Sequence, residues 1–161
     1  MAASVSFNPR RGDFYSKIDY RDEGVTRVRS FHYNSNDSIE LLWTRTTPFN
    51  QFGGMVAIGS DDSLYAVGSS EIAMINPDDG STLKSVPFLF INGCTPALSG
   101  NVLWVYSDTD TYAYDSSSLE LLETFPGSTG FQFGTNSAGA FAPGTAALNF
   151  SDQSLVYRED S

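Results

Sequence analysis

The sequence predicts an all-β chain of four repeated units, each made of about four short antiparallel strands. Three observations lead there. Aromatic residues make up 14% of the 161-residue chain and charged residues only 17%, with 14 Gly and 7 Pro spread along it. That balance suits many short strands joined by turns and does not suit a helical bundle. Next, an order of apolar strand end, Asn/Asp/Ser turn and apolar strand recurs in "HYNSNDSIELLWTR" (32–45), "MINPDDGSTLKSV" (74–86), "AYDSSSLELLETF" (113–125) and "NFSDQSLVYRE" (149–159). Finally, with Tyr33, Ile75, Tyr114 and Phe150 aligned, the units recur after 42, 39 and 36 residues, the period of one supersecondary unit with variable loops.

The first unit, 14–47, supplies two longer strands across the turn Asp22-Glu23-Gly24, with "SVSFN" (4–8) as an inner strand. The second, 55–88, has a short strand at Val56–Ile58, a Gly/Ser/Asp turn, a strand at Ser63–Val67 and a third at Glu71–Asn76 before the shared turn. The third, 95–125, repeats this order at Pro96–Leu98, Val102–Tyr106 and Thr111–Asp115. The fourth, 131–158, draws three weaker strands from "GFQFGTNSAGAFAPGTAALNF". Four short antiparallel strands in roughly 40 residues make the blade of a β-propeller. The expectation is therefore a single domain, 1–161, of four propeller-like blades in an open arc or a small ring, with atypical terminal repeats that face something other than a sister blade.

The repeat resembles that of the quinoprotein-type propellers, whose blades carry an alanine-x-aspartate, threonine-glycine, tryptophan signature. Ala113-Tyr114-Asp115 matches its first part, Asp79-Gly80 its turn and Leu42-Trp43 its end, although no single repeat carries all three. The resemblance implies four-stranded blades. Enzymes of that family hold a quinone and a calcium ion, usually beside a vicinal disulfide, and the lone Cys94 cannot form one. No cofactor is expected, and Cys94, in "FINGCTPAL" (90–98), is expected to pack as a small hydrophobe.

A formal charge of −10 and a pI near 4.2 argue against nucleic acid as a partner, since counterion release needs clustered Lys and Arg. Seven of the nine basic residues fall before residue 50, which reads as solvated strand positions on the N-terminal unit. There is no run of 18 apolar residues and no charged start leading into an apolar stretch, so neither a membrane span nor a signal peptide is visible and the compartment stays open.

His32 is the only histidine, and strand alternation sets it opposite Phe31 and Tyr33, so no multi-histidine metal site or ready triad exists. No G-x-S-x-G, G-x-G-x-x-G or Walker pattern occurs, and no catalytic residue is assigned. Asp108 and Asp110 have the spacing that opens an EF-type calcium loop, but no glutamate closes it, and turn chemistry is the simpler use of such pairs. Trp104, Tyr106 and Tyr112, with Tyr65 and Tyr114 nearby, are the candidate binding surface, against core packing as the simpler use. These readings point to a non-enzymatic binding or structural module that associates with a protein partner or with itself, as in a large multi-chain assembly such as a virion or surface filament. A carbohydrate-binding propeller and a fragment of a propeller hydrolase or oxidoreductase are the alternatives.

Overall fold

The computed structural model describes residues 3–35, 37–48, 55–68, 70–89, 96–107, 110–126, 146–149 and 154–157. Sheet 1 consists of β1 (Ala3–Asn8), β2 (Asp13–Tyr20), β3 (Val25–Tyr33) and β4 (Ile39–Pro48). Sheet 2 consists of β5 (Ala57–Ile58), β6 (Leu64–Val67), β7 (Glu71–Ile75) and β8 (Thr82–Pro87). Sheet 3 consists of β9 (Ala97–Ser99), β10 (Val102–Tyr106), β11 (Asp110–Asp115) and β12 (Leu121–Pro126), and β13 (Ala146–Asn149) pairs with β14 (Ser154–Tyr157) in a fourth, two-stranded sheet. Within each sheet every strand pairs antiparallel with the next in sequence, so each sheet is a meander closed by tight turns. The single helical segment among the described residues is a 3-10 turn at Arg21–Glu23.

The sheets fan out around their first strands: β5 lies beside β1, β9 beside β5 and β13 beside β9. Their faces stack, and two apolar clusters fill the layers. Tyr15, Val28 and Trp43 of sheet 1 meet Leu64, Ala73 and Ile75 of sheet 2, while Tyr65, Val67 and Ile72 of sheet 2 meet Leu103, Val105 and Tyr114 of sheet 3. Leu64, Ile72, Ile75, Leu103 and Val105 are fully buried, each contributing on the order of 1.5–3 kcal/mol by its removal from water.

The first two strands of the second and third units lie where the sequence places them. The fourth unit does not. Because β13 takes the first-strand place beside β9, "SDQSL" (151–155) corresponds to "SDDSL" (60–64) between first and second strands, and not to the turn between third and fourth. Phe150, and residues 127–145 in which the sequence places the unit's earlier strands, fall outside the described residues. The misreading is physical in origin, since every turn in these meanders draws on the same Asn, Asp and Ser chemistry.

Each four-stranded sheet carries a β-bulge in its outermost strand. Pairing shifts between Ser30 and Phe31, between Met74 and Ile75, and between Ala113 and Tyr114, leaving Leu42, Leu83 and Leu122 unopposed. The extra residue bends the outer strand and increases its twist. It also sets the true equivalence, Phe31 with Ile75 and Tyr114, because β3 and β4 continue for two more pairs up to Tyr33 opposite Ile39. The hairpin turns of sheets 2 and 3 match, with Asn76 N–H donating to Ser81 O (2.8 Å) and Asp115 N–H to Glu120 O (2.9 Å). Gly80 (φ 74°) and Leu119 (φ 54°) take the left-handed position in them.

Candidate functional site

Alternation gives each sheet a front, turned to the next sheet, and a rear. On sheet 1 the front carries Tyr15, Lys17, Val28, Trp43 and Arg45. Lys17, only 3% exposed, donates from Nζ to Val67 O (3.0 Å), and Trp43 donates from Nε1 to Pro77 O (2.8 Å). Arg45 reaches Thr82 Oγ1 (2.8 Å) and Glu71 (3.6 Å) across the same junction. Lys17, Val28 and Arg45 thus border a narrow cleft against Ala66, Glu71 and Ala73 of sheet 2. The Trp43 ring lies over the backbone of Gly80, where a Cβ would come 2.6 Å from Cε3.

At one end of this junction the β1–β2 turn is tied down by charge. Arg10 pairs with Asp62 (2.7 Å), and Arg11 bridges Asp13 (2.8 Å) and Asp78 (2.6 Å). His32 Nδ1 lies 2.7 Å from the other oxygen of Asp13, a residue only 2% exposed. The Asp13 and Asp78 bonds raise the Arg11 pKa, and burial, then the charge of Asp13, pushes the Tyr15 phenol up to about 12. The single histidine and its carboxylate are thus absorbed in holding sheet 1 to sheet 2.

The rear of sheet 1 has a different character. Three rows cross it in register: Phe7, Phe14, Phe31 and Leu41; then Val5, Ser16, Arg29 and Thr44; then Ile18, Arg27 and Thr46. Phe7 and Phe14 stack at 4.7 Å. Val5 (57%), Phe7 (51%) and Leu41 (52%) are half exposed, and Tyr33 and Ile39 extend the surface to the hairpin end. In the middle row, Ser16 Oγ and Arg29 Nε are buried with no hydrogen-bond partner. The Arg27 guanidinium lies 4.4 Å from the centre of the Tyr20 ring and pairs with Glu23. The corresponding middle pairs on the rears of sheets 2 and 3, Ala66 with Ala73 and Val105 with Tyr112, carry no charge and are covered by the preceding sheet.

Of the sequence candidates, Trp104 and Tyr112 sit on opposite faces of sheet 3, so they do not join in one platform. Trp104 is 9% exposed, and its ring lies 5.7 Å from that of Phe125. Tyr112 is half-buried and meets Phe88 edge to face at 5.4 Å. Tyr106 lies in β10 but its side chain is outside the described residues, as are Asp108 and Cys94. Asp110 starts β11, its N–H donating to Ser107 Oγ (2.9 Å) and its carbonyl accepting from Ser107 N–H (2.7 Å). Among the described residues no group of His, Cys, Asp and Glu could hold a metal ion, and no helix is long and apolar enough to cross a membrane. The sequence reading missed the rear face. Its signal was the alternation in "VTRVRSF" (25–31), which sets Arg27 and Arg29 beside Phe31 and not in open solvent.

Among solved structures, the chain is similar to BamB from Moraxella catarrhalis, a β-propeller repeat protein, with a TM-score of 0.60 and 13% identity. The fold is that of a β-propeller. The match covers 83% of this chain and 39% of BamB, so the propeller-like array spans about two fifths of that protein's length. No known family profile and no curated protein matches the sequence.

Proposed function

We propose that the chain is a non-enzymatic propeller module that binds another protein through the rear face of sheet 1, as one subunit of a multi-chain assembly. The observation that carries this reading is the row Phe7, Phe14, Phe31 and Leu41 on the rear of sheet 1, its outer members Phe7 and Leu41 half exposed and its inner ones partly buried, in the positions that are buried as Leu64 and Ile75 on sheet 2 and as Leu103 and Tyr114 on sheet 3. A contiguous apolar face of that kind marks an interaction site. The residues that could supply acid–base chemistry favour the non-enzymatic reading too, since His32, Asp13 and Arg11 are engaged with one another at the junction of sheets 1 and 2.

The test is a photo-crosslinking amino acid in place of Phe7, irradiated in extracts of the cells that make the protein, with the same group at exposed Ser117 as control. Protein adducts from position 7 and none from position 117 are expected. Adducts from neither position, or equally from both, would refute the interface.

A further inference from the structure

The rear of sheet 1 differs in charge on the two sides of its phenylalanine row. One two-residue step toward the β2–β3 turn, about 7 Å along the strands, lies the partly exposed Arg29, with Arg27 a further step on. On the other side β3 and β4 run on to Tyr33 opposite Ile39, whereas the same hairpin ends at Ile75 opposite Thr82 on sheet 2 and at Tyr114 opposite Leu121 on sheet 3. This extra row is open, with Ile39 69% and Tyr33 47% exposed. The Tyr33 hydroxyl donates to the carboxylate of Asp37 in the turn, and since Tyr33 shares the rear with Phe31, the bond keeps that carboxylate on the rear side of the hairpin end.

The face thus carries cations to one side of its rings and an anion to the other. A two-fold axis along the row Phe7, Phe14, Phe31 and Leu41, in the plane between two such faces, sets each strand antiparallel over its own equivalent. The rows on either side then exchange. Tyr33 comes over Arg29 and Ile39 over Thr44, while the rings meet their own equivalents. An isologous contact between identical chains demands this kind of self-complementarity.

Resting on the rear face as the interface, we propose that its occupant is the same face of a second copy, with Asp37 of each copy pairing with the partner's Arg29. The two sheets pack about 10 Å apart with strand directions within about 30°. Val5, Phe7, Ile39 and Leu41 leave water along the middle, and the two ion pairs lie to either side, where they fix register more than they add affinity. An axis moved one step, onto the row of Arg29, brings the two guanidinium groups together, and their repulsion rejects that register.

Sedimentation equilibrium of the whole chain at micromolar concentration tests the pairing. Wild type is expected to dimerise, and Asp37→Asn, which tolerates the left-handed backbone (φ 60°) and loses the charge, to weaken the dimer about tenfold through its two pairs. Asp37→Arg and Arg29→Glu should each self-associate poorly yet bind each other when mixed, because the mixed dimer restores both pairs. Circular dichroism checks each fold, and Arg27→Glu takes the place of Arg29→Glu if the latter does not fold. Leu41→Cys, close to the axis, should give a disulfide that joins position 41 of one copy to position 41 of the other. Charge variants that dimerise as tightly as wild type, or a mixture no tighter than its components, overturn the two-fold pairing. A monomeric wild type that still gives adducts to a different protein from position 7 overturns the second copy and leaves the rear face standing as an interface. A monomeric wild type without such adducts overturns both.

Discussion

Trp43 and Gly80 show how one residue's freedom is set by another on a neighbouring sheet. The Trp43 ring covers the Gly80 backbone, which needs φ 74°, and the indole N–H donates to Pro77 O in the same turn. Sheets 2 and 3 meet at the corresponding place with Lys84 and Leu119, so where the large ring is absent the small residue is absent too. Trp43→Ala is expected to cost about 3–5 kcal/mol, and Gly80→Ala about 1–3 kcal/mol from its strained backbone and its collision with the ring. In chemical denaturation the double variant should be less destabilised than the two effects added, by roughly 1 kcal/mol, because removing the indole relieves the collision; strict additivity would separate the two residues. The turn aspartates make a second prediction. Bonds from the Ser117 side chain and Ser118 N–H hold the Asp115 pKa down at about 2; Ser81 lowers that of Asp79, and Asn8 and Arg10 that of Asp62. With the folded values below the unfolded one near 3.9, this stabilisation is complete above about pH 4 and is lost as pH falls toward 2. The thermal midpoint of wild type should therefore fall toward that of Asp115→Asn over this window, and a gap that stays constant down to pH 2 would contradict the assignment. Such turn chemistry was legible in "PDDG" and "DSSS", whereas the left-handed conformation of Leu119 was not, because nothing in a leucine announces it.

At the scale of elements, the bulged leucines govern the sheets. Leu42, Leu83 and Leu122 each add one residue to an outer strand, and everything beyond the bulge keeps its face only because that residue is there. Leu83 is half exposed, so Leu83→Ala should change stability by no more than about 0.5 kcal/mol. Deleting Leu83 should cost several times as much, because closing the bulge turns one arm of β8 over and sends Lys84 or Thr82 to the wrong face; a denaturation midpoint no lower for the deletion than for Leu83→Ala would show the bulge to be incidental. Alternation and turn spacing made the second and third sheets readable, down to Ile75 and Tyr114 as matching positions. The bulges were hidden because "LELLET" and "STLKSV" read equally well without a skipped residue. The fourth unit was misplaced because "NFSDQS" carries the same turn residues as the hairpins it was compared with, and only the seat of β13 beside β9 distinguishes them.

Across the whole molecule, the rear of sheet 1 distinguishes this array from a stack of equivalent blades. The fronts of sheets 1 and 2 cover the rears of sheets 2 and 3, while Val5, Phe7, Tyr33, Ile39 and Leu41 stay half exposed or more. Clustered arginines were visible before residue 50, but their position among aromatic rings required the pairing of β2 with β3. Association of the chain with itself should be concentration-dependent, because the apolar rows attract. The most direct measurement is multi-angle light scattering of wild type and of the Phe7→Glu/Leu41→Glu variant across micromolar concentrations. An open rear face predicts a wild-type mass that rises above 17.5 kDa with concentration, and a variant that remains at 17.5 kDa throughout. A wild type that stays at 17.5 kDa over the whole range, and that yields no protein adduct from position 7 in cell extracts, would mean that the face is covered, and would contradict it.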